Sequence, residues 1–113
     1  MKLPRFSGKP KKLSVFIVRR MAGESMLPTY KSGTLVLGYS RFSSLCAGDV
    51  VVILHDGLEK VKRIARIQDG RLFLVGDNPA RSTDSRSFGW LSVSVVRAKV
   101  VLPRRPKARS QVK

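Results

Sequence analysis

Few side chains in this sequence can do covalent chemistry, and their scarcity narrows the choice. His55 is the single histidine and Cys46 the single cysteine. A Ser-His-Asp triad would have to use His55, yet Leu54-His55-Asp56-Gly57 reads as a hairpin turn. A Cys-His pair would need Cys46, which runs into Ala47-Gly48 at another turn. Both residues are read as structural. A lone cysteine forms no intramolecular disulfide, and with one histidine beside it the ligands of a cysteine-type zinc site run out. No metal and no cofactor is therefore expected. Serine and lysine remain. Gly23-Glu24-Ser25-Met26-Leu27-Pro28-Thr29 sets Ser25 in a turn. A serine hydroxyl attacks only when a base takes its proton, and a neutral lysine amine can be that base. A lysine pKa is ordinarily ~10.4, so burial or a nearby cation must depress it. Val61-Lys62-Arg63-Ile64 offers a lysine between apolar neighbours, with Arg63 adding charge that opposes protonation. Lys60 lies on the same strand face one β period away, and spacing alone does not separate the two. A third stretch, Gly76-Asp77-Asn78-Pro79-Ala80-Arg81-Ser82-Thr83-Asp84-Ser85-Arg86-Ser87-Phe88-Gly89, is a long polar loop with few reasons to exist unless it builds a site. In it Asp77 and Asn78 read as turn-builders.

The elements that would carry these residues are mostly strands. Residues 13–18 are β-rich and lead toward the Ser25 turn; Thr34 to Gly38 forms a second short strand. Val50-Val51-Val52-Ile53-Leu54 has the length and β-branching of a buried strand. Asp56-Gly57 makes a hairpin, from which Leu58 to Ile67 returns carrying Lys62. Asp69-Gly70 turns again into Leu72 to Val75, and Val93 to Leu102 is a last strand stopped by Pro103. No internal repeat and no long helix is evident. A small, irregular, mostly-β antiparallel domain is expected.

Charge is concentrated at the ends. The 113 residues carry a net charge of +16. Residues 1–20 hold seven Lys or Arg and residues 97–113 another seven, with no acid in either, whereas residues 21–96 hold nine basic and seven acidic side chains. We therefore expect a flexible basic arm over 1–12, a folded domain over 13–103 and a flexible basic tail over 104–113. Basic ends suit an anionic membrane surface or nucleic acid. Leu13 to Val18 is far short of the ~20 residues a membrane-crossing helix needs. Arg19 and Arg20 stand where a secretory signal would have small residues. A cytoplasmic protein, peripheral to a membrane if bound to one, is the expectation.

The Ser-Met-Leu-Pro-Thr stretch at 25–29, Gly48-Asp49-Val50-Val51-Val52, Lys62-Arg63-Ile64 and the 76–89 loop occur in this order. Together they resemble the type I signal peptidases, serine endopeptidases with a Ser/Lys dyad, over residues 15–103. The 76–89 loop is most similar to a small soluble branch, the nickel-type superoxide dismutase maturation peptidases. The resemblance implies coiled, partly barrel-like antiparallel sheets of the signal-peptidase and autocleaving-repressor type. It implies Ser25 as nucleophile and Lys62, which directly precedes Arg-Ile, as base. Ser82 falls where the family has a hydroxyl that hydrogen-bonds the lysine; Asp84 and Arg86 would brace the loop as an ion pair, and Ser85 would line the site. Met26 would pack to position the nucleophile. Some members carry a hydroxyl two residues before the nucleophile, but here that position is Gly23, which lets a substrate backbone come close. Glu24 has no assigned role.

The function these residues imply is removal of an N-terminal leader or propeptide from a precursor protein, a nickel superoxide dismutase precursor by the loop resemblance. Two alternatives stand beside it. One is signal-peptidase-like processing of secreted precursors at a membrane. The other is a non-catalytic, nucleic-acid-binding β-domain, supported by the charge but not by the core, which lacks interleaved aromatic and basic residues for stacking on single strands.

Overall fold

The structure, a computed structural model, describes residues 15–105. Seven strands form one antiparallel sheet: β1 (Phe16–Arg20), β2 (Leu35–Tyr39), β3 (Val50–His55), β4 (Leu58–Gln68), β5 (Arg71–Val75), β6 (Leu91–Ser92) and β7 (Val96–Leu102). Their spatial order is β1-β2-β7-β3-β4-β5-β6. The single short helix among the described residues is α1 (Ser85–Phe88). The mostly-β antiparallel architecture is the one the strand pattern implies.

β3 is central, and its unbroken apolar run has a direct cause. Val50 and Val52 face one core, with Met21, Met26, Tyr30, Val36, Ala98 and Val100. Val51 and Ile53 face a second, with Ile64, Leu72 and Leu74. A strand covered on both faces has no position left for a polar residue until Leu54 and His55, where burial ends.

β4 is long and serves two neighbours in turn. It pairs with β3 from Leu58 to Arg63 and with β5 from Arg63 to Gln68, with a register shift between Ile64 and Arg66. The irregularity bends the strand. Lys62, Arg63 and Ile64 are consecutively buried where the two pairings overlap.

Most element boundaries fall within one residue of expectation, and three places differ more. β1 runs on to Arg20, two residues further than expected, because its ladder with β2 continues to Arg20 opposite Leu35. The last strand starts at Val96, since Val93–Val95 make a 3-10 turn capped by the Ser92 side chain, which accepts from Ser94 N–H. The 76–89 loop, expected to be irregular, contains a 3-10 turn (Pro79–Arg81) and α1. The basic arm and the tail from residue 106 lie outside the described residues. Arg105, placed by expectation in a flexible tail, is anchored instead: it donates to the Thr29 carbonyl at 3.0 Å, and its own carbonyl accepts from Arg63 at 3.2 Å.

Candidate active site

The Ser25 turn leaves β1 through Met21 and returns to β2. Met26, Thr29 and Tyr30 are buried, while Ser25 stays half-exposed on a cleft wall. Met26, 1% exposed, anchors the turn to the first core, a burial that contributes roughly 1.5–3 kcal/mol. Gly23 has φ +78°, a left-handed conformation that glycine takes without strain. Among the described residues the Ser25 N–H makes no hydrogen bond, so it is available to a ligand.

Lys62 lines the same cleft as Ser25, with Met21, Ala22, Val52 and Val61 among the apolar walls. Only 4% of Lys62 is exposed. Burial depresses its basicity first; Asp84 pushes it back up, while Lys60 and Arg86 lower it further, and the net shift is downward from the ordinary lysine value. Lys62 Nζ donates to Ser82 Oγ at 3.0 Å, and Ser82 Oγ donates in turn to Asp84 Oδ2. Because the Ser82 proton is committed to Asp84, its lone pairs face Lys62.

Asp84 is the hub of the loop. Its carboxylate accepts from Ser82, from the Gly76 N–H at 2.8 Å, from the Arg86 N–H at 3.1 Å as the cap of α1, and from the Arg86 guanidinium. Burial opposes its ionisation, yet these donors prevail and hold the carboxyl well below the usual carboxylate range. The expected Asp84–Arg86 pair is present. Ser85 is placed differently from expectation: it is buried, its Oγ accepts from the Leu74 N–H at 2.8 Å, and it is not part of the cleft wall. Its hydroxyl ties the loop to β5, because the first turn of α1 packs directly on that strand.

Several residues whose part could not be read from the sequence hold the Ser25 turn against this loop. Asn78 donates from its N–H to the Ser25 carbonyl at 2.8 Å and from Nδ2 to the Glu24 carbonyl at 2.9 Å. Glu24 also faces Arg81, with Nε 3.7 Å from Oε1, which gives this side chain a partner across the seam. Asp77, expected as a turn-builder, is instead a buried ion-pair partner: it takes two hydrogen bonds from Arg63, at 2.9 and 2.8 Å, and one from Thr29 Oγ1. That bidentate pair also corrects the role expected of Arg63. Its charge is matched by Asp77 and does not figure among the influences on Lys62. Gly76 completes the seam. A Cβ at this position would overlap Ser82 Oγ and stand 2.6 Å from the Ser25 carbonyl oxygen, so only glycine lets this backbone meet the Ser25 carbonyl and the Ser82 side chain together.

Lys60 also reaches the cleft, but its amine is 3.1 Å from His55 Nδ1, and it is Lys62 that hydrogen-bonds Ser82. The two lysines that β periodicity leaves equivalent thus have different partners. One cleft holds a buried amine of lowered basicity and a half-exposed hydroxyl, with a backbone donor at Ser25 that meets no acceptor among the described residues.

The sequence profile of the family described as Peptidase S24-like matches residues 7–96. A known protein that the chain is similar to is the mitochondrial inner membrane protease subunit 1 of Schizosaccharomyces pombe (strain 972 / ATCC 24843). The two are 32% identical over 114 aligned positions, which take in 77% of this chain and 72% of the relative. Both matches are to peptidases, and neither bears on the nickel superoxide dismutase branch.

Proposed function

The chain belongs to the peptidase S24-like family, and from that premise we propose that it is a Ser/Lys endopeptidase that removes an N-terminal leader from a precursor protein. Ser25 is the nucleophile and Lys62 the general base. The observation that carries this reading is the buried Lys62 amine, lowered in basicity, held by Ser82 and lining one cleft with Ser25.

The steps follow from the atoms present. Neutral Lys62 uses its N–H on Ser82, which leaves its lone pair for the Ser25 Oγ proton. As that proton moves to Nζ, Oγ bonds to the scissile carbonyl carbon and the carbonyl oxygen becomes an oxyanion. The Ser25 N–H, which has no acceptor among the described residues, supplies one donor to it. The Lys62 ammonium then protonates the leaving amine, the C–N bond breaks and an ester to Ser25 remains. Water, deprotonated by Lys62, attacks the ester; the proton returns to Ser25 Oγ and the acid product leaves. Asp84 favours the transient ammonium, and burial returns it to the amine.

For the substrate, the similarity of the 76–89 loop to the nickel superoxide dismutase maturation peptidases supports a dismutase precursor. Processing of secreted precursors at a membrane is the second reading. It is favoured by the large exposed apolar side chains Phe16, Val18, Leu35 and Leu102 on β1, β2 and β7, together with basic ends suited to anionic lipid. Among the described residues no helix is long and apolar enough to cross a membrane.

The test is cleavage of a nickel superoxide dismutase precursor and of a secretory precursor, mapped by intact mass, with Ser25→Ala and Lys62→Ala beside the wild type. Loss of cleavage in both variants with the fold retained supports the dyad. Cleavage that survives Lys62→Ala refutes the base. Salt-dependent DNA binding indifferent to Ser25→Ala, with neither precursor cut, would favour the nucleic-acid-binding alternative.

A further inference from the structure

Lys60 is held in the cleft in a way that ordinary surface lysines are not. Its Nζ lies 3.1 Å from His55 Nδ1 and 5.1 Å from the centre of the Phe88 ring. The His55 ring itself packs on Phe88, with centroids 4.5 Å apart and planes inclined at 40°. Since the ammonium donates, His55 Nδ1 accepts and the ring proton belongs on Nε2, which faces Asp56 Oδ2 at 3.8 Å. Among the described residues Lys60 meets no carboxylate. Fixing a lysine in this way costs rotamer freedom. Its charge is thereby kept in the cleft, two residues from Lys62 on one strand.

We propose that Lys60 is a positioning residue whose ammonium, pinned by His55 and Phe88, adds to burial in opposing the protonation of Lys62. The inference rests on the reading of Lys62 as the base. The other groups around Lys62 leave room for this role. Asp84, reached through Ser82, favours the ammonium, and Arg86 opposes it but is spent on Asp84. Arg63 is matched by Asp77. At the cleft rim Arg19 is paired with Glu59, and Arg20 turns to the Gly33 carbonyl at 3.2 Å. On the Ser25 turn Glu24 faces Arg81. Arg20, like Lys60, meets no carboxylate among the described residues, but Lys60 is the one of the two whose charge bears on Lys62.

The loop organises both influences. Asp84 caps α1 and Phe88 ends it, so one four-residue helix presents a carboxylate toward Lys62 and a ring to Lys60. The acid stabilises the protonated base after it has accepted the serine proton. The Lys60 charge disfavours that state beforehand. The two together set the pH at which the base is ready.

Titration of Lys62 by carbon-13 NMR of labelled lysine side chains in the full chain tests this without a substrate, with Lys62→Ala assigning the resonance. Lys60→Met is expected to raise the Lys62 midpoint, a change in acid dissociation constant on the order of three- to tenfold. Lys60→Arg, which keeps the charge, should leave it at the wild-type position. An unmoved midpoint in Lys60→Met, or an equal shift in Lys60→Arg, overturns the proposal. The pH dependence of precursor cleavage separates its failure from that of the underlying mechanism. If the resonance shifts but the cleavage profile does not, Lys60 tunes Lys62 as proposed and Lys62 is not the base.

Discussion

Replacing Gly76 by alanine tests whether the seam between the Ser25 turn and the 76–89 loop sets the rate. Gly76 does not occupy the left-handed region, so alanine brings no backbone strain and the effect is steric. The added methyl would overlap Ser82 Oγ and stand 2.6 Å from the Ser25 carbonyl oxygen and 2.7 Å from Ser82 Cβ. Real Cβ contacts essentially never fall under 3.0 Å, so the Ser25 carbonyl must retreat by about 0.4 Å and Ser82 must move as well. That carbonyl belongs to Ser25, the nucleophile of the proposed mechanism, and is fastened to the Asn78 N–H, so the retreat shifts Ser25 within the cleft it shares with Lys62. A displacement near 1 Å costs about 10²-fold in rate, so a fall of about 10- to 100-fold in kcat/KM is expected, some 1.4–2.7 kcal/mol in the barrier. The overpacking should cost about 1–3 kcal/mol of stability, at about 4–8 °C in Tm per kcal/mol for a domain of this size. Precursor cleavage under kcat/KM conditions and calorimetry on the same preparation measure both. The double variant Gly76→Ala with Ser82→Gly removes two of the three clashes but also the Lys62 hydrogen-bond partner. It should regain stability without regaining rate. Wild-type rate and wild-type Tm in Gly76→Ala would refute the argument that this close approach positions the nucleophile.

Three other perturbations follow from the same contacts. Lys62→Met should abolish cleavage yet raise Tm at neutral pH. The folded-state basicity of Lys62 is lowered, so the native protein resists the proton that the unfolded chain accepts, a penalty of about 1.4 kcal/mol per unit of depression. The wild type should recover that penalty as pH rises toward the ordinary lysine value and the variant should not, which melting curves across alkaline pH would show. Asp84→Asn removes the carboxylate that favours protonated Lys62, so the acid limb of the cleavage profile should move to lower pH, even as the plateau falls with the loosened Ser82. Arg63→Met leaves Asp77 buried without its partner and should cost about 3–5 kcal/mol in denaturant unfolding. The Ser25 turn, tied to Asp77 through Thr29, should loosen and lose activity beyond what a core cavity alone would cause.

The strands and the peptidase family were legible in the sequence because both rest on local patterns. A single histidine and a single cysteine leave serine and lysine as the candidates for the proposed nucleophile and base. Val50 to Leu54 reads as a buried strand because Val50 to Ile53 are covered on both faces, and Asp56-Gly57 marks its hairpin because both residues take positive φ there. The polar loop announced that it builds something, and the motif order pointed to the peptidase family.

Tertiary structure alone distinguished partners that one-dimensional periodicity treats alike. Lys60 and Lys62 share a strand face, yet one amine goes to His55 and the other to Ser82, because the 76–89 loop brings Phe88 to the first and Ser82 to the second. Asp77 in sequence is a turn residue; in space it is the buried acceptor of Arg63 and of Thr29, whose side chain lies 48 positions away. Ser85 goes to β5 and not to the cleft because it begins a short helix that packs on that strand. Asn78 closes the seam onto Glu24 across 54 positions, and no local pattern encodes that contact. Burial of a polar group must be answered by a hydrogen bond, and which group answers is settled only when distant segments meet.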